Sequence, residues 1–389
     1  MKKKKALIAL VTALLLLAGS ASAEYEVLLA AGGSFAYVRN DAGELFVWGD
    51  NQYGQLGRGG TSQNKNPAAF KTKNAEIDVK EIKAIYPGSD YSYFLMNDGA
   101  IYGAGNNVHG ELTAKGSRYA THVRIKLDDL TIKKMAVGFG HTLALNEAGE
   151  VYAWGRNNAG QVGNGRAANV YEPYKLELQN IVDIAAGGKF SLALDADGTL
   201  WGWGDNGNRQ LANTKDKTIK TPVKLDIGDR KIALLDAGGS FIAAVDTEGK
   251  LYMWGVNDVF QLGFDNGGKD VTSPHLVEEL PLPVVYLASY SSQTYVILSD
   301  GSLWGWGNNT YGQLGLGFRT ASGKGVTVSK IWDADCERVM GGSLFVNVLL
   351  RDGTVLAAGI NKFGQLGVAT REYEISKIFA NGFDLKAAK

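Results

Sequence analysis

Seven glycines, Gly49, Gly105, Gly155, Gly204, Gly255, Gly307 and Gly359, recur at intervals of 49 to 56 residues, and each sits in the same setting. A second glycine stands six residues before each one and an asparagine two residues after it, as Gly198 and Asn206 do around Gly204. Gln-Leu-Gly or a near variant then follows, as in Gln55-Leu56-Gly57 and Gln313-Leu314-Gly315. Self-similarity at this period marks a repeat architecture in which each unit is one supersecondary element.

The unit reads as short strands. Ile181 to Ala186 is a β-type run that ends at Gly187-Gly188, and Phe190 to Leu194 alternates. Asp197-Gly198 follows in a tight turn, and Thr199 to Trp203 forms the next strand. Asp-Gly between two alternating runs is a hairpin signal. A last run such as Pro222 to Leu225 brings the unit to four strands, and no segment beyond the N-terminus carries a helical period. Four strands repeated seven times predict an all-β fold, a seven-bladed β-propeller of four-stranded blades. Trp48, Trp154, Trp203, Trp254 and Trp306 precede five of the recurring glycines and are expected between blades, where large aromatic rings bury most area. Ala104 and Ala358 take that position in the second and seventh units, so other bulk must fill the gap there. The tail 375–383 resembles the start of a further unit and is expected to close the ring beside the N-terminal strand.

Lys2 to Lys5, an apolar run over 6–18 and Ala21-Ser22-Ala23 have the order of a cleavable export signal. The run is too short for a membrane span, which needs about 20 residues. The expected division is therefore a signal peptide over 1–23 and a propeller over 24–389, secreted or in the cell envelope, without a stable span. The chain carries 40 Lys and Arg against 40 Asp and Glu, so losing the four lysines of 1–23 leaves an acidic remainder. That balance argues against nucleic acid as a partner. The single cysteine, Cys336, excludes an intramolecular disulfide and a cysteine-based metal site.

The repeat resembles that of the regulator of chromosome condensation family: a glycine turn, an aromatic or His, a hydrophobic strand, Asp-Gly, then Trp-Gly-x-Asn-x-x-Gly-Gln-Leu-Gly. Residues 41–57 and 300–315 match it nearly throughout, and the resemblance runs over about 25 to 370. Kelch propellers share the period but space their Tyr and Trp differently. The family fold is a seven-bladed propeller, and its members bind partners on rims and loop faces. One class is secreted by bacteria and inhibits β-lactamases, but the contact residues lie outside the repeat signature, so that target does not follow. Guanine nucleotide exchange on a small GTPase, the activity of the family's founder, is disfavoured by the export signal and the acidic balance. Where the family commonly places His, fourteen residues before the Trp-Gly glycine, this chain has Phe35, Tyr91, His141, Phe190, Phe241, Gln293 and Phe345. That column reads as packing.

No catalytic or cofactor motif is present, so no cofactor is expected. His109, His122, His141 and His275 fall in no metal-binding spacing. The asparagines read as turn caps and the Asp-Gly pairs as hairpins, in preference to a polar ring and calcium loops. Cys336 reads as a buried structural thiol. One column varies from unit to unit: four residues past the Trp-Gly glycine stand Tyr53, His109, Ala159, Asn208, Val259, Tyr311 and Phe363, with Phe260 one step on. Loop residues without packing duties are available for recognition. The expected function is a non-catalytic, monomeric binding module for a protein partner, contacted through Tyr53, His109, Phe260, Tyr311 and Phe363. A carbohydrate-binding or glycan-active exported propeller is the alternative. The connections 58–80 and 316–329 read as exposed loops on one face.

Overall fold

A computed structural model describes residues 28–127, 130–211, 216–367 and, as backbone, 375–384. The expected export signal lies outside the described residues. Seven four-stranded antiparallel sheets follow one another along the chain, each built from consecutive strands. Blade one spans 28–69, blade two 82–125, blade three 132–175, blade four 181–224, blade five 232–276, blade six 284–332 and blade seven 336–384. Among the described residues the one helical element is a single turn, Val79–Glu81, and no helix is long and apolar enough to cross a membrane.

Blade four shows why the repeat folds this way. Its strands are Ile181–Ala186, Phe190–Asp195, Leu200–Asp205 and Thr218–Lys224, counted outward from the centre. The Asp195 carboxylate accepts the amides of Asp197 and Thr199 and so ties the hairpin that the Asp-Gly pair begins. Gly204 has φ +108°, and a Cβ there would lie 2.5 Å from the carbonyl oxygen of Lys189, so only glycine lets the third strand pass this close. The family's His column is packing, as expected: Phe35, Tyr91, His141, Phe190, Phe241, Gln293 and Phe345 are all buried. His141 places Nε2 3.0 Å from the Ser191 hydroxyl, and burial pushes it down to about 4, so it is a neutral ring.

The first strands of all seven blades surround a central channel, and those of successive blades touch, blade seven's and blade one's included. At one end of the channel, amides and carbonyls of the turns after the first strands join neighbours, as in Gly188 N–H to Gly239 O, 3.0 Å, and Ser343 N–H to Gly33 O, 3.4 Å. The turn after the first strand and the segment between third and fourth strands share this end, termed the loop face. The Asp-Gly hairpins and inter-blade connections share the other. This corrects the reading of 58–80 and 316–329 as loops on one face. Each contains an outer-strand segment (Asn64–Ala69, and the start of Gly325–Trp332), so 58–80 crosses from one face to the other.

The tail also differs from expectation. Ile375–Asp384 is the outer strand of blade seven and pairs with Thr354–Ile360, Leu356 opposite Asn381. Blade one already has four strands from its own sequence, so its edge offers no vacancy, whereas blade seven has only three before the tail arrives. The ring closes through a packed seam instead. Leu29, Ala31, Val38 and Trp48 of blade one bury against Phe345, Leu349 and Leu366, and the Trp48 indole donates to Gln365 O at 3.0 Å.

Candidate functional site

Every seam has a backbone carbonyl at its centre, that of the Gln in Gln-Leu-Gly. The indole N–H of the next blade's tryptophan donates to it: Trp203 to Gln161, 2.9 Å, Trp254 to Gln210, 2.8 Å, Trp306 to Gln261, 3.0 Å. Trp154 donates at 2.7 Å to the carbonyl of Glu111, which stands in the Gln position in blade two. All five tryptophans are fully buried. Where the next blade has Ala104 or Ala358, a tyrosine from the same blade as the carbonyl serves it: Tyr37 to Gln55 O, 2.7 Å, and Tyr295 to Gln313 O, 2.9 Å. The space beside Ala104 also takes His122, stacked on Phe94 at 4.0 Å and packed where a Cβ on Gly57 would fall. Burial pushes His122 down to about 3, so it too is neutral filling.

Above each seam the Asn and Gln side chains fix the loop. Asn206 accepts from Leu211 N–H at 2.9 Å and donates to Asp216 O at 2.8 Å. The asparagines are turn caps, as the sequence implies: Asn51, Asn107, Asn157, Asn257, Asn309 and Asn361 accept the equivalent amide. The side chain of the Gln, or of Glu111, accepts the amide of the residue two before it in all seven blades. Those seven residues are the variable column. Their backbone is held alike while their side chains differ, and the following glycine leans on the outer strand of the next blade, Gly54 on Ala120 and Gly364 on Lys65.

Tyr53 is 41% exposed, whereas His109, Phe260, Tyr311 and Phe363 are half-buried. His109 Nδ1 lies 3.2 Å from the Asn169 amide nitrogen, and burial together with Arg156 lowers its basicity. Phe260 occupies the position that is glycine in five blades and has φ +60°, a conformation costly for an aromatic residue. Tyr311 and Phe363 lie on adjoining blades six and seven, and Tyr53 lies on blade one beyond the closing seam. Three exposed aromatics on this face escaped sequence reasoning, one of them Tyr171, 55% exposed, beside Gly110 at the start of the outer strand of blade three. Phe318, 48% exposed, follows Tyr311 in the same loop, and Phe139, 44% exposed, stands in the ring of turns at the channel mouth. Neither falls in a column of large residues, so the repeat gave no signal for them.

Glu111 is the one departure in the Gln column. It is buried and is pushed up to about 7, chiefly by burial, with Asp90 adding to the effect and Arg156 opposing it. Cys336 is buried and its thiol is pushed up to about 12, so it carries no thiolate near neutrality. No group of three metal-ligating side chains occurs among the described residues.

Comparisons with known proteins agree with this geometry. The RCC1-like domain profile matches residues 17–289, and the regulator of chromosome condensation (RCC1) repeat matches 284–313. The chain is 30% identical over 350 residues to the ultraviolet-B receptor UVR8 of Arabidopsis thaliana, covering 88% of this chain and 78% of the receptor. It is 32% identical over 298 residues to the human X-linked retinitis pigmentosa GTPase regulator, covering 75% of this chain but only 29% of that protein. It likewise spans only 23% of the human probable E3 ubiquitin-protein ligase HERC6. Among solved structures, Saccharomyces cerevisiae Prp20p superposes with a TM-score of 0.76 at 20% identity, over 91% of this chain and 86% of that one, which shows the shared fold. With the family profile matched over most of its length and the repeat geometry complete in seven blades, the chain belongs to the RCC1-like domain family.

Proposed function

We propose that this protein is an exported, non-catalytic module that binds a protein partner through the loop face of blades six, seven and one. One observation carries the reading. The variable column is clamped by the same side-chain-to-amide hydrogen bond in every blade, so its side chains are free to differ, and three consecutive blades present Tyr311, Phe363 and Tyr53 there. Phe318 extends the patch on blade six, and Phe260 brings an aromatic held at positive φ on blade five. Aromatic anchors in a polar surround are what dominate protein interfaces. The fold-mate Prp20p is described with its binding to Gsp1p and histones, which supports a protein as the class of partner; neither target transfers to this chain.

Export is tested by mass spectrometry of envelope and medium fractions. A mature N-terminus at Glu24 is expected, and intact Met1 on soluble cytoplasmic protein overturns it. The surface is tested by capture with residues 24–389, followed by calorimetry on the Tyr53→Ala, Tyr311→Ala, Phe363→Ala triple variant. Each true anchor should contribute about 1–4 kcal/mol to binding. Unchanged affinity in a folded triple variant removes this arc from the interface.

A further inference from the structure

The seam that closes the ring differs from the other six in its connection and in its packing. At each of the six, the chain runs on from the outer strand of one blade into the first strand of the next. Blades seven and one have no such connection, and among the described residues neither lends the other a strand. The backbone bond across this seam at the channel mouth, Ser343 N–H to Gly33 O, is 3.4 Å. Its counterparts from Gly33 to Gly88, Phe139 to Gly188, Gly188 to Gly239 and Gly239 to Ser291 span 2.7 to 3.1 Å.

The packing of this seam contains a polar side chain, Asn347. It stands on the second strand of blade seven where the other blades have Tyr37, Tyr93, Leu143, Leu192, Ala243 and Tyr295. The three tyrosines donate to the seam carbonyl. Leu143, Leu192 and Ala243 are buried in apolar clusters with the following blade's tryptophan. Asn347 is fully buried, and neither its amide nitrogen nor its amide oxygen has a hydrogen-bond partner in the chain. Across the seams of blades one and two, a hydroxyl faces this position: Ser92 lies 3.1 Å from Tyr37 Oη, and Thr142 lies 3.1 Å from Tyr93 Oη. Blade one has Ala36 there, in an apolar cluster with Val38, Trp48, Leu349 and Leu366, and the Trp48 indole already serves Gln365 O.

We propose that the seam between blades seven and one is the opening point of the ring: these two blades part while the other six seams stay closed, and Asn347 sets how often. A buried amide with no partner penalises the closed state alone, because both of its polar groups meet water once the blades separate. No chain connection holds these two blades together when their packing loosens. Subglobal openings of this kind follow the least stable cooperative boundary of a fold. The seam runs between Phe363 of blade seven and Tyr53 of blade one, so its opening changes the spacing of those two aromatics. The opening itself does not depend on what they bind.

The test is native-state hydrogen exchange, read by mass spectrometry on the full folded chain and corrected for intrinsic rates. Amides of 36–38 and 346–349 should exchange about tenfold or more faster than those of 191–193 and 242–244, the equivalent strands at the seam of blades four and five. Asn347→Leu should slow exchange at 36–38 and 346–349 about tenfold and leave 191–193 unchanged. Leucine already holds this position beside the next tryptophan in blades three and four, as Leu143 does with Trp203 and Leu192 with Trp254. Asn347→Ala, which copies Ala243 of blade five, keeps the test open if the leucine variant does not fold, and the same slowing is expected. Equal protection of the two seams in the parent overturns the proposal. So does exchange at 346–349 that is unchanged or faster in the folded variant.

Discussion

Five seams of the ring are sealed by an indole and two are not, yet the carbonyl at the centre of each is served in both kinds. In the tryptophan seams the donor reaches back from the following blade, as Trp203 does to Gln161. In the alanine seams it comes from the preceding blade's own second strand, as Tyr295 does to Gln313. The requirement common to all is a buried acceptor that must be paired; the identity of the donor, and the side from which it comes, are free. The blade two–three seam has both, since Tyr93 and Trp154 each donate to Glu111 O.

The comparison can be broken most forcefully at a seam with one kind of donor. Trp254→Ala should cost about 3–5 kcal/mol through the cavity it leaves. It should exceed Trp203→Ala by about 1 kcal/mol, because the Ser191 hydroxyl also donates to Gln161 O whereas Ile242 stands at that position beside Gln210. Denaturant unfolding of the two variants measures the gap, and equal losses would mean the carbonyl matters little beside the lost volume.

A smaller effect sharpens the alanine seams. Tyr295→Phe removes the hydroxyl that serves Gln313 O and should destabilise by about 1–2 kcal/mol. Tyr37→Phe should cost less, since Ser92 also donates to Gln55 O at 2.8 Å. The reverse order in unfolding midpoints would show that the tyrosines act as bulk alone.

The smallest expected effect concerns the hybrid seam and depends on pH. Glu111 is raised to about 7 from a model-peptide value of 4.5, so the stability tied to its protonated form is full below 4.5 and is lost as pH rises to about 7. Glu111→Gln should therefore match the parent in acid and exceed it above neutrality, by on the order of 1 kcal/mol. Thermal midpoints measured from about pH 5 to about pH 8 should diverge; parallel curves would place Glu111 in contact with water.

What could be read from the chain was what repeats. The glycine spacing, the Asn caps and the tryptophan column follow from one period, and each is present in the structure. The tyrosine replacements were not legible, because matching Tyr37 to Ala104 and Tyr295 to Ala358 requires knowing which blade leans on which. The tail was misread for a related reason. Its run looks like a first strand, and only the count of strands in blades one and seven shows that an outer edge was waiting. Of the candidate contact residues, the column was visible, but the degree of burial was not: Tyr53 is exposed while Tyr311 and Phe363 are half-buried, a difference set by neighbours that the repeat period does not reveal.

The clamp on the variable column has a consequence for how such a chain can change over generations. The main-chain amide donates to the side-chain oxygen of a Gln or Glu, so any residue that has an amide proton can make this bond. Seven addresses around the rim can thus be rewritten one at a time, with folding indifferent to the text, and a new binding specificity can be acquired without a compensating change in the core.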